Sequence, residues 1–442
     1  MTRYGQSCLV PDCTLCYNVR DNLLHKEEPT RMKKFLAILL TAMLLATMLP
    51  ALVQAEGVKL TMGSWRSDDT VQVQALLDKY KEQTGVEITF APTVPAQYNA
   101  TLRMQLDNGT GPDLMYSRTF ATSKELYEAG FLMDISSIPA LKENFNPADL
   151  QAFQADDGAI YAVPYASVSQ IVYYNKAIFA EHNLEVPTTF EELLAVAEAL
   201  KGKGIEPLAN GIASEWDILE CVFLGMLPNY VGGADQRALY EKGEKKMNDE
   251  AFVKALTDYA ALTKFFPEGF EALANEDGPA MFGLGRAAMF IDGSWTVGMF
   301  DEYTDLDLGV FALPAPEGAE QALCFHADMG IAGNADTQHP EEVKAFLAWF
   351  ASVEGAQEAA NLLPPGFFPT INAPVTLKNE NSQAILALNE GKVLDFRFIW
   401  KDFMGMYTLM VENLNGIARG EITPEAAADA FAAAQEEILA AK

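Results

Sequence analysis

The chain has 442 residues, 50% of them hydrophobic, and 31 basic against 61 acidic residues give it a formal net charge of −30. A surface this acidic repels phosphate backbones and anionic lipid heads, which argues against nucleic acid as a partner. The length and the hydrophobic fraction are sufficient for two buried cores.

Residues 32–55 have the pattern of an export signal that begins at an internal methionine, Met32. Two lysines, an apolar run and a proline precede a small-residue cleavage pattern that ends at Ala55. Cleavage would leave an exported chain that starts near Glu56. An uncleaved membrane anchor is the alternative, because residues 35–53 approach the roughly 20 residues that a span needs. No cysteine lies at the cleavage point, so a lipoprotein anchor is not indicated.

The 31 residues before Met32 do not fit this pattern, because an export signal acts from the extreme N-terminus. They contain four potential zinc ligands: Cys8, Cys13, Cys16 and His25. A mis-assigned start codon explains the same facts more simply, and a disordered cytoplasmic tail is a third interpretation. After cleavage only Cys221 and Cys324 would remain, which could form one disulfide but no disulfide scaffold.

Short apolar stretches alternate with helical periods from Val58 onward. The predicted elements are a strand at Val58–Met62, a helix at Asp69–Glu82, a strand at Val86–Phe90, a helix at Ala96–Asp107 and a strand at Asp113–Tyr116. Val71, Ala75 and Tyr80 define the expected buried side of the first helix, and Gly85 is expected to end it. The order β-α-β-α-β predicts a parallel sheet covered by helices.

The same alternation continues through the rest of the chain. The predicted elements are strands at Ile160–Val163 and Val168–Tyr174, a helix from Lys176, a helix that begins with the capping box Thr188–Glu191 and ends at Gly202, several helices between Trp216 and Phe265, and helices at Pro340–Ser352 and from Thr423. No segment repeats and no low-complexity linker separates two halves. Two cores must therefore be joined by short crossings within ordered structure.

Motifs for catalysis and for cofactor binding are largely missing. The chain lacks a His-Glu-x-x-His motif, a Walker loop and a Gly-x-Ser-x-Gly elbow. Residues 283–288 match the dinucleotide pattern Gly-x-Gly-x-x-Ala, but turn-forming residues at 277–279 precede them and an apparent strand follows where the motif requires a helix. Paired acidic residues stand at turns and helix starts, where they favourably meet the helix dipole.

Aromatic residues at turn positions are the distinctive feature. They stand beside glycine or proline rather than on helical stripes: Trp65, Tyr165, Trp295 and Phe367. Ligands of open α/β folds lie at the carboxyl ends of strands, where Trp65 and Tyr165 fall. Aromatic rings stack on the apolar face of a sugar, and nearby cations such as Arg66 and Arg118 hydrogen-bond its hydroxyls. Each ring taken singly is better explained by packing, but the four together favour a ligand cleft.

The stretch from Gly285 to Trp295, Gly-Arg-Ala-Ala-Met-Phe-Ile-Asp-Gly-Ser-Trp, resembles the signature of the extracellular sugar-binding receptors of ABC importers. This family, extracellular solute-binding protein family 1, includes maltose-binding protein. Four further segments match it in order and spacing: Gly-Pro-Asp-Leu at 111–114, the run 157–165, Tyr-Tyr-Asn-Lys at 173–176 and Pro-Thr-Thr-Phe-Glu-Glu-Leu at 187–193. The resemblance covers nearly everything after residue 56.

The resemblance implies an α/β fold of two lobes, like that of the periplasmic binding proteins. Each lobe would contain a mostly parallel sheet flanked by helices, and the ligand cleft would lie at the hinge. The expected division is residues 57–166 and 292–328 in the N-terminal lobe, residues 167–291 and 329–442 in the C-terminal lobe, and crossings near 165–169, 290–295 and 328–333. The lobes would close on a carbohydrate and then dock on the membrane permease subunits of an ABC importer driven by a cytoplasmic ATPase.

The resemblance further implies a monomeric, exported receptor in the periplasm or on the outer face of the cytoplasmic membrane. It implies no enzymatic activity, no cofactor, no catalytic residue and no metal site. Trp65, Tyr165 and Trp295 match ligand-contacting positions of the family. Arg66 and Arg118 fall in its variable contact loops. Asp328 stands just before Met-Gly-Ile, where the family more often has a glycine pair. Trp216 and Phe367 are the residues predicted to line the wall of the second lobe.

Two other functional classes remain open from the sequence. A secreted carbohydrate-active enzyme would share the export signal and the aromatic cleft, but it would need an acid/base pair beside the sugar. A receptor for a non-sugar solute, such as a polyamine or an iron complex, would share the two-lobe shape. The two arginines also raise the hypothesis of an acidic sugar such as a uronate. The sequence names neither the sugar nor its chain length.

Overall fold

The structure, a computed structural model, describes residues 57–67, 69–395 and 403–441. The predicted export signal and the segment before it lie outside the described residues. Contacts divide the chain into two units, Met1–Gln54 and Ala55–Lys442, and all the structure described below belongs to the second. Among the described helices, none combines the length and the apolar character that crossing a membrane requires.

Ten strands form one continuous sheet within the described residues: β1 Lys59–Ser64, β2 Glu87–Pro92, β3 Leu114–Arg118, β4 Val163–Asn175, β5 Glu206–Leu208, β6 Ala287–Gly293, β7 Leu308–Ala312, β8 Ala322–Gly333, β9 Phe368–Pro369 and β10 Val393–Asp395. The α-helices of the first half are α1 Thr70–Thr84, α2 Pro95–Asp107, α3 Ala121–Glu128, α4 Pro139–Asn144, α5 Pro147–Gln151, α6 Lys176–Glu181, α7 Phe190–Lys201, α8 Leu224–Met226, α9 Pro228–Val231 and α10 Ala234–Glu241. Those of the second half are α11 Glu250–Leu262, α12 Asp277–Gly283, α13 Pro340–Ala351, α14 Val353–Asn361, α15 Glu380–Ala387, α16 Tyr407–Ala418 and α17 Pro424–Ala440. A π-helix spans Asp217–Phe223, and 3₁₀ turns span Thr263–Phe265, Phe270–Ala272, Ser294–Glu302 and Met404–Met406.

The predicted β-α-β-α-β unit is confirmed. β1 pairs in parallel with β2 on one side and with β3 on the other, and α1 and α2 are the connections. Helix α1 ends at Gly85, whose φ of 79° is left-handed and whose backbone N–H donates to the carbonyl of Lys81. The predicted buried side of α1 was partly wrong, because Val71 and Ala75 are exposed. Its core contacts come instead from Val73, Leu76, Leu77 and Tyr80.

Two long strands, β4 and β8, connect the two halves of the sheet. Residues 163–169 of β4 pair antiparallel with β8, and residues 170–175 of the same strand pair antiparallel with β6 and β7. Strand β8 continues to an antiparallel pairing with β3. The predicted strand at 160–163 is reduced to an isolated bridge between Gln154 and Ile160, and β4 begins at Val163.

The second half of the sheet differs from the expectation of a mostly parallel one. β5 pairs in parallel with β6, and β10 with the start of β8, whereas β4 pairs antiparallel with both β6 and β7. The reason is geometric, because β4 enters this half from the first one and runs against its neighbours. The two-lobed α/β character is otherwise as predicted.

Two local predictions about helices need correction. The capping box lies one residue later than predicted: the Thr189 hydroxyl accepts from the backbone N–H of Glu192, and the Glu192 carboxylate accepts from the backbone of Thr189. Residues 277–279, predicted to form a turn, open helix α12. The strand predicted after them is present as β6, so the dinucleotide motif still has the wrong context. The predicted start of the last helix is confirmed, with Thr423 as N-cap and Pro424 in the first turn.

The hydrophobic residues form a large cluster in each half of the sheet. The first surrounds β1, β3 and the start of β4, and it includes Val343 and Phe346 of α13. The second surrounds β6 and the π-helix, and it includes Phe311 of β7. The expected division placed α13 in the C-terminal lobe and β7 in the N-terminal lobe. The exact lobe boundaries stay a prediction. These contacts favour α13 in the N-terminal lobe and β7 in the C-terminal lobe.

Candidate functional site

Trp65 lies where the sequence predicted it, directly after β1. Its ring meets the edges of Tyr98 and Tyr116, with ring centroids 5.5 and 5.6 Å apart. The hydroxyl of Tyr98 donates to the backbone carbonyl of Tyr116 at 2.7 Å, and burial raises the pKa of the Tyr98 phenol. Edge-to-face contacts of this kind fix the orientation of the indole.

Arg118, the last residue of β3, covers the indole of Trp65. Its guanidinium carbon lies 3.9 Å from the ring centroid. A guanidinium over an indole is held by the negative face of the ring. The predicted contacts Trp65 and Arg118 therefore form one unit.

Arg66 is held by two protein groups. Its guanidinium makes a two-pronged ion pair with Asp69, with Nη2–Oδ1 and Nε–Oδ2 distances of 2.6 and 2.7 Å. The same guanidinium lies 4.7 Å from the ring centroid of Phe367, which is buried in the first core. The charge of Arg66 is thus largely compensated, and its function in this arrangement is to join the loop after β1 to the Phe367 loop.

Tyr165 lies on β4 behind these residues. Its ring contacts Tyr116 and Phe350, with centroids 5.9 and 5.2 Å apart. Burial raises the pKa of the Tyr165 phenol, so the side chain is a neutral hydroxyl at physiological pH. The hydroxyl of Tyr116 is buried and faces the hydroxyl of Tyr165. Sequence reasoning missed Tyr98 and Tyr116, although the position of Tyr116 near the end of a predicted strand was an available signal.

Trp216 and Trp295 form a second aromatic pair. Their ring centroids are 6.2 Å apart and the rings are tilted by 51°. Trp216 directly precedes the π-helix, Trp295 follows β6, and both side chains are half-buried. Trp295 also packs against the first hydrophobic core, so this pair lies where the two cores meet.

Ser294 ties the Trp295 turn to the Phe367 loop. Its hydroxyl accepts from the backbone N–H of Ser169 at 3.1 Å and donates to the carbonyl of Gly366 at 2.5 Å. Gly366 has a φ of 84°, and a Cβ there would collide with the backbone carbonyl of Ser294. The predicted residues Trp295 and Phe367 are therefore brought together by backbone contacts.

Asp328 is the predicted site residue with the least direct connection to the rings. It is buried within β8, opposite the register shift between Ala166 and Ser167 of β4. Its position is on a strand that joins the two halves of the sheet. A ligand contact by Asp328 stays a prediction.

A cavity of about 380 Å³ lies elsewhere along β4, beside Asp149, Ser167, Phe325 and Thr370. None of the predicted ligand residues lines it. We place the candidate site at the ring cluster because aromatic faces and a cation converge there. The cavity has mixed lining and no aromatic pair.

One sheet with two halves joined by long crossing strands, and aromatic residues at the junction, define a two-lobed solute-binding fold. A solved chitin oligosaccharide binding protein has this fold, with a TM-score of 0.74 and 23% identity over 87% of this chain and 99% of that chain. A protein solved in a study of xylan utilization by Caldanaerobius polysaccharolyticus gives a TM-score of 0.75 and 18% identity, with 85% and 99% of the two chains covered. Residues 66–357 match the sequence model of the bacterial extracellular solute-binding proteins. The chain belongs to this family.

The chain matches only part of the length of its relatives. An uncharacterised ABC transporter extracellular-binding protein of Pyrococcus horikoshii is 29% identical over 240 residues, which are 53% of this chain and 52% of that protein. The maltodextrin-binding protein of Bacillus subtilis is 24% identical over 291 residues, which are 63% of this chain and 66% of that protein. The chain thus spans about half of the first relative and about two thirds of the second.

Proposed function

We propose that this chain captures a sugar or oligosaccharide outside the cytoplasm and delivers it to the permease of an ABC importer. The observation that carries the proposal is the unit of Arg118 over Trp65, held by Tyr98 and Tyr116. A fixed indole with a cation on one face is a suitable partner for a pyranose ring, which offers an apolar C–H face and equatorial hydroxyls. The relatives of this chain include maltodextrin-binding and galactooligosaccharide-binding proteins of Bacillus subtilis, which supports the same ligand class.

The second aromatic pair adds rings from another part of the structure to the proposed sugar site. Trp216 directly precedes the π-helix of the second core, whereas Trp295 and Trp65 pack in the first. A sugar between them would contact both lobes, so its binding energy would favour the closed arrangement. The crossing strands β4 and β8 are the segments that a hinge motion would bend. A closed, liganded monomer would then present one shape to the permease subunits.

Export of the chain is part of this proposal. It rests on the signal pattern of residues 32–55 and on the extracellular description of the family. The protein would act in the periplasm or on the outer face of the cytoplasmic membrane.

A neutral sugar fits the electrostatics better than an acidic one. Arg66, one of the two cations behind the uronate hypothesis, has its charge compensated by Asp69. Arg118 is therefore the one remaining basis of the uronate hypothesis. A uronic-acid oligomer that binds wild type and Arg118→Ala equally would count against it.

The enzyme alternative requires an acid/base pair beside the sugar. Asp217 and Asp292, which stand close to Trp216 and Trp295 in the sequence, are 1% and 0% exposed and so are not at a surface. We therefore propose a receptor without turnover. A polyamine or iron-complex receptor would instead need carboxylates that face the ligand.

The proposal is tested by thermal unfolding of the purified protein in a panel of neutral and acidic mono- and oligosaccharides. A ligand that binds only the folded state stabilises it by RT ln(1 + [L]/Kd), so the melting temperature rises with the logarithm of the ligand concentration once that concentration exceeds the Kd. We expect a rise with one class of sugar and recovery of that sugar unchanged by chromatography. An unchanged melting temperature with every sugar of the panel would favour a non-sugar solute. Conversion of the sugar would establish that the protein is an enzyme.

A further inference from the structure

A buried cluster of metal-ligating groups lies directly behind the Trp216 and Trp295 pair. Its members are Asp217 and Cys221, one turn apart in the π-helix, and Asp292 on the adjacent strand β6. One ligand atom from each, two carboxylate oxygens and the Sγ, all lie within 4.8 Å of one another. All three side chains are buried, with at most 1% exposure. π-Helical turns are rare and occur frequently at functional sites.

The two carboxylates present a charge that the surrounding residues do not balance. Burial raises the pKa of Asp217 well above its usual range, and repulsion by Asp292 and by the more distant Glu276 and Glu220 raises it further. Burial likewise raises the pKa of Asp292 to about 6, against the hydrogen bond donated by Thr296. No basic side chain is among the groups that act on either carboxyl. Two buried carboxyls without a basic neighbour cannot both stay ionised at low cost, so they require a shared proton or a bound cation.

Unused polar atoms point into the same space. The Oδ1 atoms of Asp217 and Asp292 are both buried and receive no hydrogen bond of good geometry from the described residues, although the Cys221 thiol and the Asn275 amide lie close enough to lower the pKa of Asp292. The amide of Asn275, whose residue is 9% exposed, faces both carboxylates and offsets part of the rise in their pKa, yet its Nδ2 makes no hydrogen bond of good geometry. A half turn of this amide would present Oδ1 instead of Nδ2. A fourth ligand is therefore within reach.

We propose that Asp217, Cys221 and Asp292 bind one divalent transition-metal cation, with Zn²⁺ as the best match, in a closed structural site completed by Asn275. Thiolate and carboxylate ligands together select zinc among the common divalent cations. Zinc bonds of about 2.0 to 2.3 Å place neighbouring ligands about 3.5 Å apart, so only a small contraction of the cluster is needed. Binding would release the thiol proton of Cys221 and neutralise both carboxylates.

The ion would also join two parts of the sugar site. It would connect the π-helix that follows Trp216 to the strand that precedes Trp295. No sequence motif predicts this site, because Asp292 is brought to the helix only by the pairing of β4 with β6. The inference does not depend on the identity of the sugar.

The experiment uses the full chain with Cys8→Ser, Cys13→Ser and Cys16→Ser as a common background, because those thiols could compete for metal. The protein is stripped with a chelator and titrated with Zn²⁺ by calorimetry and with Co²⁺ by visible absorption. We expect one equivalent of each metal, a thiolate-to-cobalt charge-transfer band and a higher melting temperature with Zn²⁺. Stripped protein that binds neither metal would overturn the proposal and would leave a shared proton as the way in which the acid pair is satisfied.

Matched variants assign the ligands. Cys221→Ser should lose the charge-transfer band and bind Zn²⁺ at least tenfold more weakly, and Asp292→Asn should weaken binding to a similar extent. Cys324→Ser is the control, because Cys324 is an equally buried thiol on β8 that is not a member of the cluster. An unchanged band in Cys221→Ser, or its loss in Cys324→Ser, would contradict the assignment. If Cys221→Ser does not fold, the titration of the background protein and of Asp292→Asn still decides the question.

Discussion

The guanidinium of Arg118 lies on the indole of Trp65, with 3.9 Å between the guanidinium carbon and the ring centroid. The two residues end neighbouring parallel strands, β3 and β1, so the sheet itself sets their distance. One face of the indole is thereby covered by a cation, and its edges are held by two tyrosines. This relationship gives the sugar site a fixed element and leads to the first prediction.

Arg118→Met should weaken sugar binding about fivefold to tenfold. It keeps an unbranched side chain over Trp65 but removes a cation–π contact worth about 1 kcal/mol and the guanidinium donors. Calorimetric titration measures the loss. The matched control is Arg103→Met, since Arg103 covers the Phe131 ring at 5.0 Å on an exposed helix and should leave affinity unchanged. Equal effects of the two variants would mean that the Arg118 contact is only structural.

Trp295→Ala should lower sugar affinity by about 30-fold, because a buried ring platform at the centre of a binding site contributes about 2 kcal/mol. Trp349→Ala is the comparison, since Trp349 packs on Tyr80 and Phe346 in the first core. It should lower the melting temperature more than Trp295→Ala does and leave affinity near wild type. Affinity and melting temperature measured on both variants separate ligand contact from packing. Reversed effects would remove Trp295 from the site.

Gly366→Ala should cost about 3 kcal/mol of unfolding free energy and also weaken sugar binding. The residue has a left-handed φ of 84°, and a methyl group would collide with the Ser294 carbonyl. Gly318→Ala is the matched control, because its φ of 79° is similar but no atom lies within 4 Å of the new methyl group. We expect it to cost about 1 kcal/mol and to leave binding unchanged. Equal costs in denaturant unfolding would show that only the backbone angle matters.

Asp149→Asn should stabilise the protein at neutral pH by about 1 to 2 kcal/mol. Burial raises the pKa of Asp149 from 3.8 to about 6, with a smaller opposing effect of Asn146. The folded state therefore holds the proton more strongly than the unfolded state, so this stabilisation is complete below about pH 4 and is lost as pH rises through 6. For a fully buried carboxyl this pKa shift would change the free energy of unfolding by about 3 kcal/mol, and partial solvent screening reduces that change.

Unfolding of both proteins at several pH values between 4 and 8 checks this prediction. The stability of the variant should rise relative to that of wild type as pH rises, and the two stabilities should be equal at pH 4. Asp305→Asn, in an exposed turn, should change nothing across the same range. A constant difference at all pH values would assign the effect of Asp149→Asn to something other than titration.

Much of the fold was accessible from the sequence because its signals are local. The strands around Val58 and Val86, the helix stop at Gly85 and the N-cap Thr423 each depend on a few adjacent residues. Val71 was misassigned because α1 offers apolar residues on more than one side, and tertiary contacts decide which side is buried. The antiparallel second half of the sheet depends on how β4 crosses between the cores, which no local pattern encodes.

The candidate site was predictable to a similar extent. Trp65 and Tyr165 were predicted because they fall at the carboxyl ends of predicted strands, and their contact with a ligand stays a prediction. The pairing of Arg66 with Asp69 and the edge contact of Tyr98 depend on side-chain directions. The cluster of Asp217, Cys221 and Asp292 joins residues that are distant in sequence, so spacing carried no signal for it.

The central claim is that the protein binds a sugar and releases it unchanged. Calorimetric titration of the sugar that most raises the melting temperature, followed by chromatography of the recovered ligand, tests it most directly. The account predicts saturable binding of one sugar per chain, a loss of about 30-fold in Trp295→Ala and full recovery of the intact sugar. Saturation without any effect of Trp295→Ala and Trp65→Ala, or a sugar recovered in altered form, would contradict it.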